Sequence, residues 1–142
     1  MDAIFKFYEG LPRQGPGSTE STLRALEMIE NDLPQNSNIL DIGCGTGAQT
    51  IALAENISGL ITAVDIYQPY LDVIIQKAKS RKLHASINVL NKSMSDLSFP
   101  ENSFDLIWSE GAIYLMGFEN GLRSWSRFLK PLGFMALTEL SW

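Results

Sequence analysis

Apolar runs of four to eight residues recur along the chain, and helical patterns separate them. The runs, which are typical of buried strands, cover residues 39–42, 60–65, 86–90, 104–108 and 133–140. Amphipathic helices are predicted over residues 48–56, 69–80 and 118–130, and one more, capped by Ser18 or Thr19, before the first run. Pro131 is predicted to end the last helix. This alternation predicts an α/β fold: a Rossmann-like, doubly wound, mostly parallel sheet with helices on both faces.

Residues 1–17 do not follow this alternation. Three aromatic residues, Phe5, Phe7 and Tyr8, precede the segment LPRQGPG, whose prolines and glycines do not fit a regular element. We predict that these residues form an arm that crosses the surface as a lid, and a disordered leader is the alternative. With no repeat or linker elsewhere, residues 1–142 are predicted to be one domain.

The composition is that of an ordinary globular domain. The 142 residues are 45% hydrophobic and 19% charged, enough to bury one core, and the net charge of −5 argues against binding a nucleic-acid backbone. No apolar run reaches the roughly 18 residues of a membrane span, and the first residues do not resemble a secretory signal, so no membrane is expected and the location is predicted to be cytoplasmic. Cys44 is the only cysteine, which fits a reducing compartment.

The strongest motif is ILDIGCGTGAQT, residues 39–50, in which a predicted strand breaks into glycines and a helix then begins. Gly43, Gly45 and Gly47 allow a sharp turn, a close approach to a ligand and tight packing against the next helix. Gly43 and Gly45, followed by Ala48, also satisfy the dinucleotide fingerprint, with an acid, Asp65, about 20 residues further on. The motif alone therefore leaves NAD open.

Two acids narrow the choice of ligand. Asp41 lies two residues before the first glycine, where an anion disfavours a pyrophosphate and favours a cationic amine or sulfonium. Asp65 ends the second predicted strand, where a carboxylate can accept hydrogen bonds from both hydroxyls of a ribose, and Ile66 and Tyr67 can cover an adenine. Together they predict an adenosine ligand with a positively charged tail.

The segments DIGCGTG, VDI, SMSDLSFPENSFDLIWSEG and FLKPLGFMALTE resemble the successive motifs of the class I S-adenosylmethionine-dependent methyltransferases, over nearly the whole chain. The resemblance implies that S-adenosylmethionine is the cofactor, with S-adenosylhomocysteine as the product. It implies that Asp41 and the loop Gly43, Cys44, Gly45 and Gly47 hold the methionine part. It further implies that Asp65 binds the ribose, Ile66 flanks the adenine, Ser93 and Met94 contact the adenine edge, and Ser109 lies near the sulfonium. Many relatives have Asp where this chain has Ser93, so backbone contacts at Met94 are the firmer expectation.

The opening FYEGLPRQGPGSTESTLRAL and the segment SEGAIYLMGF resemble a bacterial subgroup of that family, and this narrower resemblance gives no acceptor. The family implies the strand order 3-2-1-4-5 followed by two more strands, and this chain is expected to stop after the fifth of the usual seven. An exposed fifth strand ending in Leu140, Ser141 and Trp142 would then need cover, from a second copy in a homodimer or from downstream residues.

Methyl transfer from a sulfonium requires alignment and exclusion of water, and no base is obligatory. Glu110 is a candidate proton acceptor that could equally cap a turn or bind the cofactor amine, and Tyr114 could bind substrate or line a wall. Arg13 could reach the cofactor carboxylate if the arm folds over the site, and a solvated surface arginine is the alternative. The Cys44 thiol is not expected to act, and His84 has no companion for a metal site.

Three functions remain open on the sequence. The first is a methyltransferase that acts on a small-molecule acceptor, which Asp41 and the full motif series favour. The second is an NAD-dependent dehydrogenase-type Rossmann domain. The third is a cofactor-binding module without catalysis.

Overall fold

The computed structural model describes residues 2–139 of the chain. The strands are β1 (Ser37–Ile42), β2 (Gly59–Asp65), β3 (Ile87–Asn91), β4 (Phe104–Glu110) and β5 (Leu129–Thr138). The helices are α1 (Asp2–Tyr8), α2 (Thr19–Glu27), α3 (Ala48–Asn56), α4 (Gln68–Ser80) and α5 (Phe118–Ser126), with short 3₁₀ turns at Glu30–Asp32 and Ile113–Leu115. The predicted strand end at Leu140, and Ser141 and Trp142 beyond it, lie outside the described residues.

The five strands form one sheet in the order β3-β2-β1-β4-β5, and every neighbouring pair is parallel. Both the strand order and the parallel direction confirm the sequence prediction. Because all five strands run the same way, their carboxyl ends meet at one edge of the sheet. Asp41 of β1 is in register with Ala63 of β2 and Trp108 of β4, so the loops that follow these strands lie side by side.

Helices cover both faces of the sheet, as predicted. On one face α5 packs through Trp125 against the alternate β1 residues Leu40 and Ile42. On the other face lie α2, α3 and α4, with Leu26 and Leu53 packed around Ile39 and with Leu71 and Ile74 packed around Ala63. The β1 side chains alternate between these faces, which is why Ile39, Leu40 and Ile42 are all buried. None of the described helices combines the length and the apolar character needed to span a membrane.

The predicted helix over residues 48–56 is confirmed, and Ser18 is the cap of α2, where its hydroxyl accepts the Ser21 amide at 3.1 Å. The helix predicted to start at residue 118 and the fifth strand are confirmed, but the predicted helix end at residue 130 and strand start at residue 133 were wrong. Helix α5 ends at Ser126, and β5 has already begun at Leu129. Pro131 lies in an irregularity of β5. Phe104 of β4 pairs with Leu129, but Leu106, two residues further along β4, pairs with Phe134. Since a bulge requires no ladder hydrogen bond from the proline nitrogen, Pro131 is tolerated in this strand.

The arm begins with a helix that its sequence does not predict. The helix α1 docks on the start of α4, where the Phe5 ring stacks on Tyr67 with a centroid distance of 4.6 Å. The Tyr70 hydroxyl donates a 2.9 Å hydrogen bond to the Phe5 carbonyl. The arm is therefore packed against the carboxyl edge of the sheet and does not extend away from the domain.

Candidate functional site

A cavity of about 790 Å³ opens at the carboxyl edge of the sheet. Its walls come from the glycine loop after β1, the end of β2, the loop after β3, the segment after β4, and the arm. This is the place where ligands bind in open parallel α/β sheets, and the size lies within the usual range for small-molecule sites. The arm lies over the cavity, since Tyr8, Arg13 and Gln14 all line it.

The glycine loop forms one wall of the cavity at close quarters. Gly43 has a φ of 71°, and a Cβ placed there would lie 2.6 Å from the Ala112 Cβ, so only glycine fits. Gly43, Cys44 and Gly45 line the cavity. Gly47 does not line it and instead packs against α4, where a Cβ would lie 2.6 Å from the Ile74 Cγ1. Burial raises the pKa of the Cys44 thiol well above its ordinary value, so the thiol stays protonated and unreactive.

Asp65 joins the glycine loop to the end of β2. One of its oxygens accepts the Gly45 amide at 3.0 Å and the other accepts the Tyr67 amide at 3.0 Å. Burial raises the pKa of this carboxyl, while these two amides lower it. Each carboxylate oxygen can accept more than one hydrogen bond, so the group can still take donors from the cavity. Ile66, half-exposed, lines the cavity beside it.

Asp41 lies behind the cavity wall. Its carboxyl is fully buried, accepts the Thr50 hydroxyl at 2.6 Å and the Gln49 amide at 3.4 Å, and does not line the cavity. Burial, partly offset by those two bonds, raises the pKa of Asp41 to about 7. Gln49 does line the cavity, and it also donates to the Cys44 carbonyl at 3.2 Å. Gln49 therefore gives Asp41 a hydrogen-bonded link to the cavity wall.

The stability of the domain should depend on the protonation of Asp41. Because its pKa rises from 3.8 to about 7 on folding, the folded protein holds this proton more tightly than the unfolded chain. The stabilisation is complete below about pH 4 and is lost as the pH rises through about 7. Relative to Asp41→Asn, which stays neutral, the wild type should lose about 2–3 kcal/mol between about pH 5 and pH 8. Urea unfolding of both proteins at the two pH values measures this.

Asp72→Asn is the matched control, since Asp72 is an exposed carboxyl on α4. Its unfolding free energy should follow that of the wild type across the same pH range. Parallel pH curves for the wild type and Asp41→Asn would show that Asp41 is ionised in the folded protein throughout.

The other predicted contacts divide between the cavity and its support. Ser93 and Met94 line the cavity in the loop after β3, and the Ser93 hydroxyl lies 2.8 Å from the Ser95 hydroxyl. Met94 is held by its carbonyl, which accepts the indole N–H of Trp125 at 3.0 Å. Ser109 does not line the cavity: it is fully buried and donates to the Ile42 carbonyl at 2.9 Å, so it ties β4 to β1.

Arg13 and Glu110 meet across the cavity wall. The Arg13 Nη1 lies 3.1 Å from the Glu110 Oε1, so Arg13 is not a solvated surface residue. The other oxygen of Glu110 accepts the Thr22 hydroxyl at 2.7 Å and the Trp108 indole N–H at 2.8 Å. Tyr114, half-exposed on the 3₁₀ turn after β4, lines the cavity.

Two glutamines, Gln14 and Gln49, belong to the site but are not predicted from the sequence. Gln14 of the arm accepts the Thr46 amide at 2.8 Å and the Thr46 hydroxyl at 2.7 Å, so it caps the glycine loop. Its position beside Arg13 in an irregular segment is the only signal, and it is weak. Gln49 sits in the first turn of α3, where its sequence position gives no sign of burial.

Residues 2–139 bring together no group of three or more His, Cys, Asp or Glu side chains that could hold a metal ion.

The fold and the site thus define a Rossmann-like domain with a cavity beside a glycine loop. The profile of a family described as "Methyltransferase domain" matches residues 39–133, which includes that loop and strands β2 to β4. The chain belongs to this methyltransferase domain family.

Individual proteins of the same fold differ in what they act on. The demethylmenaquinone methyltransferase of Listeria welshimeri is 33% identical over 110 residues, covering 75% of this chain and 46% of that protein. Phosphoethanolamine N-methyltransferase 2 of Haemonchus contortus, solved in complex with S-adenosyl-L-methionine, superposes with a TM-score of 0.78 at 22% identity, covering 95% of this chain and 31% of that one. The [4+2]-cyclase SpnF superposes with a TM-score of 0.75 at 25% identity, covering 92% and 48%. This chain spans between about a quarter and a half of the length of the curated relatives it matches.

Proposed function

We propose that this chain is the S-adenosylmethionine-binding domain of a methyltransferase that acts on a small-molecule acceptor. The observation that carries the proposal is that one cavity is lined both by a carboxylate placed to bind a ribose, Asp65, and by a buried guanidinium, Arg13. Asp65 is fixed by two backbone amides, and Arg13 places a nitrogen, Nη2, that is buried and has no hydrogen-bond partner among the described residues. An adenosine with an amino-acid tail has ribose hydroxyls that can donate to Asp65 and a carboxylate that can accept from Arg13.

The residues present fit such a ligand. The Asp65 carboxylate would accept the ribose hydroxyls, and Ile66 would cover one face of the adenine, with Met94 at its edge. Gly43 and Gly45 line the cavity without side chains, so the methionine part would lie against bare backbone there. A guanidinium binds a carboxylate through two parallel hydrogen bonds, which suits Arg13 to the carboxylate of the same ligand.

When bound, S-adenosylmethionine supplies a methyl group on a positively charged sulfur, so the leaving group needs no further activation. The protein's own contribution is to align the acceptor and to keep water out. The arm serves the second task, since Tyr8 and Gln14 lie over the cavity. Tyr114 is one side chain in the segment after β4 that can contact an acceptor in that cavity.

One alternative within the same fold is a domain that binds the cofactor without transferring its methyl group. The likeness to the cyclase SpnF favours keeping this alternative, because it shows the fold in a protein named for a different reaction. A dehydrogenase-type NAD site is the other alternative from the glycine pattern, and the family match to methyltransferases argues against it.

Calorimetric titration separates these possibilities at the level of the ligand. We expect S-adenosylhomocysteine to bind and NAD to show no measurable heat of binding. NAD has no carboxylate that Arg13 could bind. Its pyrophosphate could not accept a hydrogen bond from the Thr46 amide, because that amide already donates to Gln14. Binding of NAD without S-adenosylhomocysteine would overturn the proposal. Binding of S-adenosylhomocysteine with no methyl transfer to any acceptor of a pooled metabolite set, by a protein as long as its relatives, would favour the non-catalytic alternative.

A further inference from the structure

The Arg13 side chain is unusual for an arginine on an irregular arm. It is only 14% exposed, and one of its terminal nitrogens pairs with Glu110 at 3.1 Å. The other, Nη2, is buried and has no partner among the described residues. A buried donor without an acceptor is costly, and the guanidinium fork presents its nitrogens in a fixed plane. The arrangement is therefore incomplete until an acceptor meets Nη2.

Glu110 is held more firmly than an ion pair at the surface would be. Its side chain is 6% exposed, and its second oxygen accepts both the Thr22 hydroxyl and the Trp108 indole N–H, at 2.7 and 2.8 Å. Thr22 and Trp108 are themselves buried, one on α2 and one inside β4. These two donors fix the carboxylate independently of Arg13, and the carboxylate in turn fixes the guanidinium.

The same arm is fixed a second time, one residue further on. Gln14 accepts two hydrogen bonds from Thr46 in the glycine loop, and its side-chain amide donates to the Leu11 carbonyl at 2.9 Å. Arg13 is thereby held between β4 and the glycine loop, and its orientation is set before any ligand arrives. Preorganised donors of this kind bind a charged group without a further ordering cost.

We propose that Glu110 is a positioning residue, which holds the Arg13 guanidinium at the cavity wall so that it receives the carboxylate of an amino-acid-bearing nucleoside. This inference rests on the proposed function, and it assigns Glu110 a role other than that of proton acceptor. A base needs a lone pair directed at the acceptor's proton, but the oxygens of Glu110 point at Arg13, Thr22 and Trp108. The specificity that follows is for ligands with a free carboxylate.

Two ligands isolate this role. S-adenosylhomocysteine and 5′-methylthioadenosine share the adenine, the ribose and the sulfur, but only the first has the amino acid. In Glu110→Gln an oxygen can still accept from Thr22 or Trp108, while the loss of the negative charge releases Arg13. We expect calorimetry to show affinity for S-adenosylhomocysteine about 10-fold lower and affinity for methylthioadenosine changed by less than about twofold.

Arg13→Met should give the same pattern with a loss of about 10- to 100-fold for S-adenosylhomocysteine, the scale of hydrogen bonds to a charged group. Because Glu110 acts through Arg13, the double variant should bind no more weakly than Arg13→Met alone. The matched control is Glu55→Gln, which breaks the exposed ion pair between Glu55 and Arg81 and should leave both affinities unchanged.

The possible outcomes separate the two proposals. If the wild type binds neither ligand, the proposed function fails. If the wild type binds both and Glu110→Gln weakens them equally, or weakens neither, the positioning role is wrong while the proposed function stands. Should Glu110→Gln melt at a much lower temperature, Arg13→Met decides the question, because it leaves Glu110 bonded to Thr22 and Trp108. Equal losses for both ligands in Arg13→Met would overturn the inference.

Discussion

Replacing Asp65 with alanine is expected to weaken the binding of S-adenosylhomocysteine by about 1–3 kcal/mol, roughly 5- to 150-fold, without unfolding the domain. The carboxylate accepts the amides of Gly45 and Tyr67, so it shapes both the glycine loop and the turn after β2 before it meets a ribose. The alanine variant loses both the acceptor for the ligand and the link between these loops. The measurement is calorimetric titration, with a thermal melt to confirm that the variant is folded.

Two further variants separate these effects. Asp72→Ala removes a carboxylate from the exposed side of α4 and should leave the affinity unchanged. Asp65→Asn keeps one oxygen to accept an amide, so it should retain more of the loop structure than alanine while still binding more weakly than the wild type. An unaltered affinity in Asp65→Ala would remove this residue from the site.

Replacing Trp125 with alanine should lower the free energy of unfolding by about 3–5 kcal/mol, the cost typical of removing a large aromatic side chain from a core. Trp125 is completely buried in the cluster between α5 and the sheet, beside Leu40 and Ile107. Its indole N–H is also bonded to the Met94 carbonyl, so the variant removes the support of the loop that lines the cavity after β3. Urea unfolding followed by circular dichroism measures the loss.

Trp125→Phe is the informative partner to this variant. It retains most of the buried ring and removes the indole N–H, which leaves the Met94 carbonyl without that donor and should cost about 1–3 kcal/mol. Leu132→Ala serves as the surface control, because Leu132 is 97% exposed in the β5 irregularity and should change stability by less than about 0.5 kcal/mol. A loss in Trp125→Ala as small as that of the control would contradict the packing described for α5.

The sequence pattern predicts the sheet well because its signals are local. The apolar run of β1 is buried on both faces, the three glycines fall between β1 and α3, and the bounds of α3 follow from small and apolar residues alone. The parallel order then follows from connection rules and from the family resemblance. The end of α5 is predicted poorly, because a proline at position 131 is compatible both with the end of a helix and with a bulge in a strand. Only the pairing of β5 with β4 decides between the two.

The candidate site is harder to predict because its decisive contacts are distant in sequence. The ion pair between Arg13 and Glu110 joins residues 97 positions apart, and the hydrophobic periodicity of the sequence does not indicate this contact. Gln14 reaches Thr46 from an irregular arm in the same way. Asp41 shows a different gap: its place in the motif indicates a ligand contact, but the motif carries no information on burial. The structure puts Gln49 between that acid and the cavity.

The hydrogen bond from Trp108 to Glu110 also gives the protein a built-in optical probe. The indole is almost completely buried, and its N–H lies 2.8 Å from the carboxylate that pairs with the arm. Indole emission responds to charges near the ring, so a carboxylate that binds Arg13 beside Glu110 would change the emission of Trp108 without any added label. Stopped-flow fluorescence can then time the binding of the ligand directly.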